Sequence, residues 1–268
     1  MRRPGTLVAV GRTSDVYEFD ADTVVKVPRP GVPDHWSALE AQYTRAVRTL
    51  AVPAPTVVDV IEIDGRTAIV FERIEGRSLW EHIVDEPHRV DEFAAVLADT
   101  QRAIFSAGPP EGLDGLVDRM SRKIDDVAGL TADERAEAAE LATSQPRGAA
   151  LLHGDLHPGN VLMAADGPIV IDWFYASIGH PVADIVRSSI LMRPHLGPSG
   201  RSHLPGADRA VLDALHGAYV DAMRSLLDID PAVIHDWETL AAVSRLSEGD
   251  QPDANITGLD LEVSGGAS

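Results

Sequence analysis

The hydrophobic period changes once along this chain, near residue 75, and that change constrains the fold more than any other feature. Before it, apolar residues come in short β-prone runs broken by turn residues. Residues 6–10 form one run, residues 11–15 break it, residues 16–19 alternate, residues 20–22 turn, and residues 23–27 form a third run. Pro28, Pro30 and Pro33 stop it. Residues 35–50 then place Leu39, Tyr43, Ala46, Val47 and Leu50 on one helical face. Residues 56–63 and 66–73 read as a hairpin about Asp64-Gly65. The expectation is an α+β fold with a five-stranded N-terminal lobe, residues 1–75, carrying one helix. Beyond Gly76 the period is helical at residues 79–84, 90–106, 116–127, 132–143, 183–192, 208–227 and 231–246. Short strands and turns fill residues 151–171. That predicts a larger, mainly helical C-terminal lobe over 76–250 and a polar, poorly ordered tail over 251–268.

Composition narrows the function classes. The net charge of −19 repels nucleic-acid phosphates and anionic lipid, so neither is an expected partner. No apolar stretch approaches the roughly 18 residues of a membrane span, and the run at residues 7–10 is too short for a signal peptide. The absence of cysteine excludes disulfides, zinc-thiolate sites and thiol catalysis, and fits a reducing, cytoplasmic setting. Only Lys26 and Lys123 are lysines among 23 basic residues. The skew is most simply genomic composition bias, and a lysine that persists within it marks a position to test for a need of the amine.

The chemistry is concentrated in His153-Gly154-Asp155-Leu156-His157-Pro158-Gly159-Asn160-Val161-Leu162, followed by Ile169-Val170-Ile171-Asp172-Trp173. Phosphoryl transfer needs a carboxylate to take a hydroxyl proton and Mg²⁺ to neutralise charge. Mg²⁺ takes hard oxygen ligands and keeps several waters, so one carboxylate and one amide oxygen suffice. Asp155 is the expected base, and Asn160 and Asp172 the expected metal ligands. The D-x-x-x-x-N spacing with a later strand-end Asp matches the protein-kinase catalytic loop. The competing reading of Asp155 alone is a turn residue bonding its own backbone.

These segments, with Gly179-His180-Pro181-Val182-Ala183-Asp184-Ile185, resemble the aminoglycoside phosphotransferase and choline kinase-like family over roughly residues 5–250. The resemblance implies a protein-kinase-like fold and phosphorylation of small-molecule hydroxyls with ATP or GTP and Mg²⁺. A kinase of this kind needs a lysine on the third strand and a glutamate on the next helix. Lys26 occupies that strand, and Glu40 is the sole acidic residue between His35 and Leu50. An exposed edge lysine and a solvated helix glutamate are the bland readings. The loop Gly11-Arg12-Thr13-Ser14-Asp15 departs from G-x-G-x-x-G and looks like the shorter family version, with Ser14 meeting the phosphates. The resemblance also implies that backbone groups of Glu72 and Ile74 pair with the base edge. His153 is expected to brace the loop, His157 either to contact substrate or to sit beside the loop, and Asp184 to cap the helix starting near Val182.

No activation segment ending in Ala-Pro-Glu follows Asp172, which favours a small-molecule acceptor over a protein. From Asp208 onward twelve acidic residues face three basic ones. As pocket walls they suit a polycationic acceptor such as an aminoglycoside, while a solvated helix face is the ordinary reading. Arg187, Arg193, His195 and His203 are expected near the pocket entrance, where they suit an anionic or neutral acceptor. The expected function is an O-phosphotransferase for an aminoglycoside-like or other hydroxylated small molecule. The alternatives are a metabolic kinase for a sugar or amino alcohol, and a non-catalytic nucleotide-binding module. Whether the role is antibiotic resistance or metabolism stays open.

Overall fold

A computed structural model describes residues 4–50, 52–193, 206 and 208–246. The strands β1 (Leu7–Val10), β2 (Ser14–Asp20), β3 (Thr23–Pro28), β4 (Val57–Ile63) and β5 (Arg66–Glu72) form one antiparallel sheet in the order β1-β2-β3-β5-β4. Helix α1 (Asp34–Arg48) runs between β3 and β4 and packs Ala41 against Val57, Ile69 and Phe71. Side chains alternate across a strand. Lys26 therefore shares the face of Val24, which also packs on that cluster, and points toward α1.

The helical lobe comprises α2 (Leu79–Asp85), α3 (Val90–Ser106), α4 (Leu116–Asp126), α5 (Ala132–Ser144), α6 (Pro181–Met192), α7 (Arg209–Met223) and α8 (Pro231–Leu246). Ser78 starts α2 with a capping box: its hydroxyl accepts from Glu81 N–H, and the Glu81 carboxylate accepts from Ser78 N–H. Short strands carry the segment between α5 and α6. β6 (Gly76–Ser78), β8 (Val161–Ala164) and β9 (Gly167–Val170) form one sheet, and β7 (Ala150–Leu152) pairs with β10 (Ser177–Gly179). β6 and β10 are three residues each, too short to leave a period in the sequence.

The largest apolar cluster joins the two lobes. Tyr43 and Val47 of α1 pack with Leu97, Ile104, Leu156, Trp173, Leu215 and Tyr219. A second cluster, with Val117, Ile124, Val186, Ile190, Trp237 and Leu240, ties α4, α6 and α8 together. The helix expected over 208–227 is interrupted: α7 ends at Met223, and a 3-10 turn spans Arg224–Leu226. Its start is capped by Asp208, which accepts from Val211 N–H at 3.0 Å. The tail expected over 251–268 lies outside the described residues, as do His195 and His203.

Candidate active site

The loop after β7 is held by backbone contacts that only this sequence satisfies. Gly154 has φ +79°, and a Cβ there would lie 2.5 Å from the Tyr175 carbonyl oxygen. That excludes other residues on both counts. His153 is fully buried, with its ring edge-on to Trp173 at 4.7 Å. Its Nδ1 accepts from Asp155 N–H at 3.2 Å, so its Nε2 is the N–H that donates to the Ile171 carbonyl at 3.0 Å. It thus links the loop of Asp155 to the strand end of Asp172, the bracing expected of it.

Asp184 does not cap its own helix. The cap of α6 is His180, whose ring accepts from Val182 N–H. Asp184 is 2% exposed, and its carboxylate accepts from Gly154 N–H at 2.7 Å, His153 N–H at 3.1 Å and Gln101 Nε2 at 3.0 Å. A carboxylate buried this deeply needs several donors, and the tight loop has amides that α6 cannot use. Tyr219 O–H donates in turn to Gln101 Oε1. Sequence reasoning missed Gln101, although a glutamine between Leu97 and Ile104 on an apolar face was the available signal.

The remaining expected residues converge on one cleft. Lys26 Nζ donates to Glu40 Oε1 and Oε2 at 2.7 and 2.8 Å and lies 3.2 Å from Asp172 Oδ1. Asp172 sits in the left-handed region at φ +65°, which turns its carboxylate off the strand. Burial alone would depress the Lys26 amine, but the charges of Asp172 and Glu40 hold it above its ordinary value. Burial raises Glu40, only partly offset by Lys26. Burial would also raise Asp172, but Lys26 pulls it below the usual carboxylate range. Asn160 Nδ2 donates to the Asp155 carbonyl at 2.9 Å, so its amide oxygen is the end left for the cleft. Asp155 Oδ1 lies 3.3 Å from Arg187 Nη2. His157 Nδ1 accepts from Gly159 N–H at 3.1 Å, and burial holds its pKa below the ordinary imidazole value.

Two cavities share Lys26, Glu40, Asn160 and Asp172 as a common wall. One, of about 560 Å³, is walled by Val24, Phe71, Glu72, Ile74, Leu162 and Ile171, with Val8 and Val10 of β1 also lining it. Those two valines are 52% and 66% exposed, which a planar apolar ligand beneath them would explain. The Glu72 N–H donates to the Thr56 carbonyl at 3.0 Å, so the base pairing expected of this residue falls to its carbonyl. Ser14 is buried and borders both cavities. Gly11 N–H donates to the Ser14 carbonyl at 2.9 Å, and a Cβ on Gly11 would lie 2.6 Å from that oxygen, which keeps the turn tight.

The other cavity, of about 350 Å³, holds Asp155 and His157 and is walled by Trp36, Phe174, Tyr175, Arg12, Arg187 and Arg245. The acid-rich last helices do not supply its walls. Among the described residues of that segment only Arg245 lines it. Asp208 and Asp230 cap helices, Asp213 and Asp221 pair with Arg209 and Arg224, Asp236 accepts from Gln145, and Glu238 pairs with Arg193. For these described acids the ordinary reading as a helix surface fits, the acids beyond residue 246 lie outside the described residues, and Arg193 pairs with Glu238.

Among the described residues no group of three or more His, Asp or Glu gathers as a metal cage. One carboxylate and one amide oxygen are a set that a hydrated Mg²⁺ bound to phosphates uses, so Asn160 and Asp172 fit that ion.

A family model described as Phosphotransferase enzyme family (APH) matches residues 5–226. No curated protein sequence matches the chain. Solved structures do. A thermostable mutant of aminoglycoside phosphotransferase APH(4)-Ia, in ternary complex with AMP-PNP and hygromycin B, aligns at a TM-score of 0.63 and 19% identity. The alignment covers 91% of this chain and 85% of that one. A choline/ethanolamine kinase family protein from Mesorhizobium loti aligns at 0.54 and 16%, covering 92% and 78%. The GDP and kanamycin complex of APH(2")-IIia aligns at 0.50 and 18%, covering 91% and 85%. The shared fold is that of the protein kinases and their small-molecule relatives, as expected.

Proposed function

Because the chain belongs to the phosphotransferase enzyme family, we propose that it moves the γ-phosphate of ATP or GTP to a hydroxyl of a small molecule. The observation that carries this is the convergence of Lys26, Glu40, Asn160 and Asp172 on the wall between two cavities, with Asp155 on the far side. The larger cavity suits the nucleotide, its base between Val24, Phe71 and Leu162 and its edge against Glu72 and Ile74. Ser14 and the tight β1–β2 turn would meet the phosphates. Relatives of this fold solved with AMP-PNP and with GDP support a nucleotide of either base.

In this reading Glu40 fixes the Lys26 amine, which meets the α- and β-phosphates. Asn160 and Asp172 would hold Mg²⁺, which supplies charge neutralisation when bound. The acceptor hydroxyl donates to the Asp155 carboxylate, which takes its proton as the oxygen attacks. Arg187 Nη2, 3.3 Å from Asp155 Oδ1, would hold that carboxylate in place beside the acceptor. His153 and Asp184 fix the loop, so that little is reorganised during transfer. The meeting of Lys26, Asp155, Asn160 and Asp172 in one cleft supports a catalytic role over a non-catalytic one. Among the described residues no helix is long and apolar enough to cross a membrane.

Nucleotide turnover across a panel of hydroxylated acceptors tests this, with mass spectrometry for the phosphorylated product. Asp155→Ala should lower the acceptor-stimulated rate by roughly 10²–10⁴-fold while nucleotide binding persists. Wild-type turnover in that variant would remove Asp155 as the base. Between the two acceptor classes, the arginines among the described walls of the acceptor cavity, where α7 and α8 contribute Arg245 and no described carboxylate, favour a metabolite over an aminoglycoside-like amine.

A further inference from the structure

The chain has four Trp, four Tyr and five Phe, and ten of these thirteen rings lie in or against its apolar clusters. The three that do not are Trp36, Phe174 and Tyr175, and all three line the cavity that holds Asp155. The core is the ordinary place for an aromatic ring. These three are only partly buried and border the space beside the proposed base.

Local geometry puts them there. Trp36 precedes Glu40 by one turn of α1, so both lie on the helix face turned to the cleft. Trp173, Phe174 and Tyr175 form a 3-10 turn directly after Asp172. Three residues complete a turn there, so successive side chains point about 120° apart. Trp173 enters the core, and Phe174 and Tyr175 border the cavity. Trp36 and Phe174 meet at 4.9 Å with planes 34° apart, and Phe174 and Tyr175 meet edge-on at 4.9 Å. Pro28, Val32 and Leu191 extend this apolar wall.

Two features narrow the ligand. Aromatic faces attract cations, but protein cations already sit on two of these rings. Arg119 lies 5.7 Å from the Phe174 ring centre and 5.5 Å from that of Tyr175, and Lys123 lies 4.7 Å from the latter. What the wall offers a ligand is therefore apolar ring surface, above all that of Trp36, and it suits an uncharged partner. The cavity, of about 350 Å³, is at the small end of ligand pockets, which span roughly 300–1,000 Å³. It must also admit the transferred phosphoryl group, so it suits a compound of one or two rings.

We propose that the acceptor is an uncharged ring compound, whose hydroxyl faces Asp155 while an apolar face of the ring stacks on Trp36 and Phe174. The proposal deepens the phosphotransferase reading and rests on it for the word acceptor. An aromatic ring and the C–H face of a sugar ring share this chemistry. Acyclic amino alcohols and polyols lack it.

The test compares four probes on the full chain: benzyl alcohol, methyl β-glucoside, choline and sorbitol. Binding is read by magnetisation transfer from protein to probe protons, and phosphorylation by mass in the acceptor screen. One or both ring probes should bind saturably, and which of the two binds identifies the kind of ring. Choline and sorbitol should not bind. Trp36→Ala should weaken ring binding by roughly 2–10-fold, and Trp36→Phe should restore most of it. Phe174→Leu gives the same reading should Trp36→Ala not fold. No saturable ring binding, choline or sorbitol bound as tightly as the rings, or ring binding unchanged in these variants overturns the proposal. So does an acceptor screen whose phosphorylated products are only acyclic or cationic. Ring binding in a chain that binds no nucleotide would instead sink the phosphotransferase reading and leave the ring site.

Discussion

The two halves of the cleft are built from different kinds of chain. In the proposed reading the nucleotide half is made mostly of strands and the loops that join them: the β1–β2 turn, β3, the end of β5 and the loop leading into β8, with Glu40 of α1 and Glu81 of α2 added. Its functional groups are placed by backbone geometry, such as the left-handed Asp172 and the tight turn between Gly11 and Ser14. The acceptor half shares several of those loops, with Asp155 and Phe174 among its walls, and adds single side chains from α1, α6 and α8. The difference teaches that chemistry common to phosphoryl transfer is written into short backbone segments. Selection of the acceptor is left to helix faces that meet only on folding.

That contrast can be broken or sharpened by substitution. The largest effect is expected from Lys26→Met, which removes the cation between Glu40 and Asp172. Its kcat should fall by about 10²–10³-fold, as for loss of one electrostatic contact to a transition state. Acceptor affinity measured by calorimetry without nucleotide should stay put, and a parallel loss would show that the halves are not separable. Next comes Asp184→Ala, which orphans buried donors in a loop that both halves share, at about 1–3 kcal/mol per donor. A lowered Tm with nucleotide and acceptor kinetics impaired together is the expected result. Impairment of one alone would assign the loop to one half.

Trp36→Ala should act on the acceptor half only. Trp36 stacks on Phe174 at 4.9 Å in the cavity wall. An aromatic contact of this kind amounts to about 0.5–1.5 kcal/mol, or roughly a 2–10-fold rise in acceptor KM. A matching rise in nucleotide KM would contradict the division. The smallest effect is a pH slope from His157. Burial lowers its folded-state pKa, so its contribution is complete above the unfolded value near 6.5 and is lost as pH falls through the lowered folded value. Protonation also spoils the Nδ1 acceptor of Gly159 N–H. Denaturant unfolding of wild type and His157→Asn at about pH 8 and pH 5.5 should show wild type losing more stability on acidification. An equal loss in both would remove His157 as the titrating group.

Some of this was legible in the linear chain. The spacing of Asp155, Asn160 and Asp172 is set by a loop whose geometry is local, and a lone lysine on a β-run followed by a lone glutamate on a helix left few partners to choose. Asp184 was misread because an acid in a first helical turn is ordinarily a cap, whereas its donors lie some thirty residues back at His153 and Gly154. The acids after Asp208 were weighed as pocket walls because composition carries no direction; among the described ones, Asp208 and Asp230 serve helix starts, and Asp213 and Asp221 pair with nearby arginines.

What the sequence determined by itself is therefore the α+β division and the phosphate chemistry, since backbone period and short-range loop geometry are properties of neighbouring residues. The tertiary structure alone decided which side chains meet across the cleft. Trp36 of α1, Arg187 of α6 and Arg245 of α8 line one cavity only because those helices pack together.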